Sequence, residues 1–126
     1  MRARLLFAPI GAALSSILFR VRVVTGTHPW RGRCAEVDGF MPEGHLPGGV
    51  VQADVRRRLR AAGVKGGEVD REIDLLILGG YYPGHPATMD DLPKGRRGRV
   101  VLERRARGEE VEVVLVGKAL RLLGLR

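Results

Sequence analysis

Apolar and polar positions change period several times along this chain, and each change predicts an element. The apolar run from Leu5 to Phe19 is interrupted by Pro9 and Gly11, and residues 5–16 read as a short helix. Over residues 17–24 the pattern alternates. Phe19, Val21 and Val23 fall on one side and Arg20 and Arg22 on the other, the period of a half-buried strand. Residues 25–32 hold Gly26, Pro29 and Gly32 and predict a turn, with residues 33–37 as the return strand of a hairpin. Residues 38–49 contain four glycines and two prolines and read as a loop.

Residues 51–62 carry the clearest helical period. Val51, Val55, Leu59 and Ala62 recur on one face, Arg56, Arg57 and Arg60 on the other, and Gly63 suits the left-handed position past a helix end. Residues 72–82 read as a strand, because Gly79-Gly80 opposes a helix. Residues 83–98 read as a long polar connection. Residues 99–105 and 110–116 then predict a hairpin around Arg107-Gly108, and residues 118–123 a short closing helix. The expected architecture is one α+β domain over residues 1–126, an antiparallel sheet of about five strands with two or three short helices.

Composition adds a partner type. The 126 residues include 19 arginines and 3 lysines against 14 acids, a formal net charge of +8. Such an excess favours a polyanion. The chain has no asparagine, one glutamine and two serines, a skew that GC-rich coding also produces. An apolar fraction of 44% beside 29% charged residues describes a globular rather than a disordered chain. Six aromatic residues are few for stacking platforms along a single strand. Cys34 is the only cysteine, so no intramolecular disulfide calls for an oxidising compartment. Arg2 and Arg4 before the apolar run imitate a signal peptide. The run is shorter than a membrane span needs and lacks a good cleavage site, so a buried first helix or strand is preferred and a cytoplasmic protein without a membrane partner is expected, with cleavage or retention of residues 1–19 left open.

The candidate binding residues are arginines, whose planar forks match phosphate oxygens. Arg56, Arg57 and Arg60 form one cluster on the helix face. Arg96, Arg97 and Arg99 form a second in a glycine-containing segment, and Arg104, Arg105 and Arg107 a third. The helix face is favoured, because ordered side chains lose less entropy on binding. No zinc-finger, P-loop or dinucleotide spacing is present, and the spacing of His28, Cys34 and His45 fits no common zinc site. No cofactor, metal or catalytic residue is assigned. Asp70, Glu72 and Asp74 alternate along a possible strand edge and could bind a divalent cation, with solvent exposure the preferred explanation.

Residues 20–37, with Arg20-Val21-Arg22-Val23-Val24-Thr25-Gly26 and Gly32-Arg33-Cys34-Ala35-Glu36-Val37, resemble the KOW element of SH3-like barrels, which implies a basic hairpin presented to RNA. The gap between Gly26 and Gly32 is longer than in that family, and Ala35 stands where it prefers glycine. The same stretch is similar to the start of aspartate decarboxylase. There Gly32 would precede a serine, and the arginine at position 33 removes the self-cleavage chemistry. Residues 72–105, with Tyr82-Pro83-Gly84-His85-Pro86-Ala87-Thr88 followed by Asp90, Asp91 and Pro93, resemble a segment of short bacteriophage proteins, although residues 94–99 are basic where those are acidic. The resulting expectation is a small phage-type protein, without catalysis, that contacts nucleic acid (DNA or RNA) or a nucleoprotein complex through its arginines. The alternatives are a virion assembly protein that forms homo-oligomers and a small enzyme using Cys34 or His85.

Overall fold

A computed structural model of the chain describes residues 28–67 and 72–125. The chain divides into two units, Met1–Arg31 and Gly32–Arg126. In the described part of the first, a tight turn carries an Arg31 N–H bond to the His28 carbonyl (2.9 Å), and the Trp30 N–H donates to His28 Nδ1 (3.1 Å). The helix expected over residues 5–16 and the strand over 17–24 lie outside the described residues.

The second unit is built on strands β1 (Cys34–Asp38), β2 (Lys65–Gly66), β3 (Leu75–Leu78) and β4 (Glu112–Leu115), in the spatial order β2-β1-β3-β4. Every pairing is parallel. This corrects the expected antiparallel α+β sheet: the architecture is α/β. Strand β1 has parallel neighbours on both sides, so residues 33–37 are not the return arm of a hairpin. Helix α1 (Gln52–Ala61) connects β1 to β2, helix α2 (Arg96–Ala106) connects β3 to β4, and α3 (Val116–Leu122) follows β4 directly.

The second expected hairpin fails for a local reason. Gly98, Val101 and Arg104 are the buried positions of residues 96–106, a spacing of three that belongs to a helix. Only the 112–115 half is a strand. The expected polar connection over 83–98 likewise contains a 3-10 helix at Met89–Lys94 and the first turn of α2. Helix α1 matches its expected span within a residue at each end, with Val55 and Leu59 buried and Gly63 at φ +85° behind it.

Right-handed crossovers place helices on both faces of a parallel sheet. Leu76 and Leu78 of β3 pack with Leu92, Val101 and Val111, backed by Val100, Val113 and Leu115, on the α2 face. The alternate residues Leu75 and Ile77 of β3, with Ala35 and Val37 of β1, are also fully enclosed. They face the side of α1 and α3, which are tied together by Arg58 Nη1 donating to the Leu123 carbonyl (2.6 Å). Burial on both faces explains why β3 reads Leu-Leu-Ile-Leu without alternation.

Arginines fasten the amino end of this sheet. Arg33 donates to Glu112 (2.7 Å), to the Asp74 carboxylate (3.3 Å) and to the Asp74 carbonyl (2.9 Å), joining β1 and β4 to the lead-in of β3. Those carboxylates, Glu112 first, hold its pKa above the usual arginine value. Buried Arg104 reaches Glu109 (2.7 Å) and the Ile73 carbonyl (2.8 Å). Arg105 donates to the Val111 carbonyl (2.8 Å). The third basic cluster therefore folds the α2–β4 connection. Among the described residues no helix is long and apolar enough to cross a membrane.

Candidate nucleic-acid interface

In an open parallel sheet, ligands meet the crevice outside the carboxyl ends of neighbouring strands whose connections leave in opposite directions. Here those strands are β1 and β3. Their chain continuations are drawn together: the Gly79 N–H donates to the Asp38 carbonyl (2.7 Å), and Phe40 and Gly80 exchange two bonds, 2.9 and 2.8 Å. Glycine is required for this approach. Gly39 sits at φ +81°, and a Cβ there would lie 2.8 Å from the Gly80 carbonyl oxygen. With the backbones in contact, the Phe40 side chain is 48% exposed.

Two loops extend from this junction. The first, residues 41–51, is a series of turns and borders a cavity of about 680 Å³ lined by Asp38, Phe40, Met41, His45, Gln52 and Pro83, among others. The second carries Tyr81 and Tyr82, 52% and 54% exposed. The Tyr82 ring lies 4.4 Å from the His85 ring, and Lys94 Nζ lies 5.6 Å from the centre of the Tyr81 ring. Phe40, Leu46, Val51, Tyr81, Tyr82 and Met89 all belong to these loops and their immediate flanks. Among the described residues, only Leu102 and Leu122 are further exposed large apolar side chains.

A buried carboxylate secures the second loop. Asp91 receives Lys94 Nζ on one oxygen (2.7 Å), and His85 Nε2 (3.0 Å) and Thr88 Oγ1 (3.2 Å) on the other. Lys94 first, then His85 and Thr88, hold the Asp91 carboxyl below the usual carboxylate range, and Asp91 raises Lys94 in return.

The 3-10 helix leads into α2, whose first turn brings Arg96, Arg97 and Arg99 together and contains no acid. Cations at the positive end of a helix dipole are electrostatically unfavourable unless an anion is near. Arg97 meets Asp38, the last residue of β1, at 3.0 Å, and Arg99 donates to the Lys94 carbonyl (3.2 Å). Arg96, Arg97 and Arg99 thus sit on a helix rather than in the glycine-containing loop expected for them.

The α1 cluster is differently disposed. Arg56 meets Glu36 (3.4 Å) and Gln52 (3.0 Å), and Arg57 meets Asp54 (3.0 Å). The Val51 N–H, and secondarily Arg57, hold Asp54 below the usual carboxylate range. Arg60 is exposed near the carboxyl end of α1. The two arginine triads lie on helices that cover opposite faces of the sheet, so they do not form one surface.

Cys34 and His85 occupy opposite ends of the sheet, the former at the start of β1 and the latter beyond the end of β3. Burial, and then the Glu72 and Asp74 carboxylates, push the Cys34 thiol up. Asp74 also accepts from the Cys34 N–H (3.2 Å), which gives that member of the acidic run a structural role. Among the described residues no group of three or more His, Cys, Asp or Glu side chains is placed to hold a metal ion.

Sequence reasoning assigned no binding role to Phe40, Tyr81, Tyr82 or Lys94. The available signal was Gly79-Gly80 at the end of a wholly apolar run, followed at once by two tyrosines. Comparison of the chain with protein-family models, with curated proteins and with solved structures finds no match.

Proposed function

We propose that the chain is a binding module without catalysis that takes DNA or RNA, alone or within a nucleoprotein complex, through Arg96, Arg97 and Arg99. The observation supporting this reading is the acid-free first turn of α2, set with Lys94 beside the crevice at the carboxyl ends of β1 and β3. A phosphate there would meet guanidinium donors and the positive end of the helix dipole together. Asp38 fits a positioning role, holding Arg97 over the end of β1. The α1 arginines are secondary in this reading because of their position: they lie along the helix on the other face of the sheet, whereas Lys94 and Arg97, which also meet carboxylates, stand beside the crevice.

The test is binding of labelled single- and double-stranded DNA and RNA across a salt series. Joint replacement of Arg96, Arg97 and Arg99 by Gln should weaken binding and lower the salt slope by about one for each phosphate no longer neutralised. Replacing Arg56, Arg57 and Arg60 should change little. Absence of binding to every nucleic acid at low salt would overturn the reading.

A further inference from the structure

The exposed aromatic side chains are concentrated beside the cations of the α2 amino end. Phe7 and Phe19 lie outside the described residues. Of the described aromatic residues, Trp30 is buried, while Phe40, Tyr81 and Tyr82 each leave about half their surface in solvent. All three stand at the junction of the β1 and β3 continuations. Lys94 bears on the Tyr81 ring, and Arg97 is anchored to Asp38, two residues before Phe40. Phe40 is also a wall of the cavity that reaches Pro83.

Exposed rings beside cations suit a strand whose bases are unstacked from a partner. Base–ring stacking needs only a π-face, and the intervening phosphates need only positive charge. A duplex hides its base faces inside the stack and would leave these rings in water. We propose that the ligand of this site is single-stranded nucleic acid, its bases stacked on Phe40, Tyr81 and Tyr82 while Lys94, Arg96 and Arg97 take the phosphates. The proposal rests on the phosphate-binding reading above and adds which form of nucleic acid is bound. The aromatic residues are few, but those exposed among the described residues are gathered in one place.

The experiment uses the full chain and four probes of equal phosphate count: a single strand as DNA, the same strand as RNA, a blunt DNA duplex of half that length, and an abasic strand of the full length. The single strands should bind more tightly than the other two probes. Tyr81→Leu and Tyr82→Leu should each weaken single-strand binding on the order of tenfold and leave abasic binding unchanged. Tyr81→Phe and Tyr82→Phe should retain the wild-type preference, which separates ring stacking from a hydroxyl contact or a folding defect. A difference between the DNA and RNA arms would identify the natural strand. Equal binding of single strand, duplex and abasic strand, or leucine variants that bind like wild type, would overturn the inference and leave phosphate binding by α2 standing. Failure of every probe to bind would overturn both.

Discussion

Single side chains carry much of this unit's local order, and three of them make measurable claims. Arg104 is buried and satisfies the carbonyl of Ile73. Replacing it with Leu strands that carbonyl and should cost about 1–3 kcal/mol in urea denaturation, the usual penalty for a buried unpaired group. Glu109→Gln, which spares the Ile73 bond, should cost less. Asp91 has a lowered folded pKa, so its contribution is complete above its unfolded value of about 3.9 and disappears as pH falls through the folded one. The difference in urea midpoint between wild type and Asp91→Asn should accordingly be widest at neutral pH and close below about pH 4. The Cys34 thiol is raised by burial and nearby carboxylates, so the thiolate fraction at neutral pH is small. Slow modification by a thiol reagent at pH 7 is expected; a rapid reaction would restore interest in Cys34 as a nucleophile.

Among the elements, α2 departs most from ordinary helix rules. Gly98 lies inside it, where alanine normally stabilises by roughly 1 kcal/mol. A Cβ at this position would overlap the Leu92 carbonyl oxygen. Gly98→Ala should therefore destabilise, forcing α2 away from the 3-10 helix, and a lowered thermal midpoint would register it. The same glycine helped to conceal the helix in the sequence. Gly95 and Gly98 among arginines, then paired Val100-Val101, give a poor amphipathic signal, whereas α1 presents Val55 and Leu59 four apart against a polar face. Strand β3 was legible as an extended apolar run. Its parallel neighbours were not, because pairing partners such as Ala35 and Leu75 are forty residues apart and no local period encodes strand direction. The candidate arginines could be named from the sequence, but their separation onto two faces follows from sheet order alone.

At the scale of the molecule, charge and aromatic surface are distributed differently. Residues 1–27 carry Arg2, Arg4, Arg20 and Arg22 and no acid, which is half of the formal excess. Among the described residues, the exposed rings cluster on the loops beyond β1 and β3. General attraction to polyanions and discrimination among them should then be separable. Replacing those four arginines by Gln should flatten the salt dependence of binding while leaving the preference for a single strand over its abasic counterpart intact; loss of that preference would place discrimination in residues 1–27. Phe40 and Gly80 exchange both of their main-chain bonds, and glycines at 39, 79 and 80 allow no slack between the two backbones. The loop beyond β1 and the loop beyond β3 are thus joined at their roots. Occupancy on the tyrosine side should be sensed at His45 and Met41 on the other, as shared resonance shifts across a seam that connects distant parts of the chain.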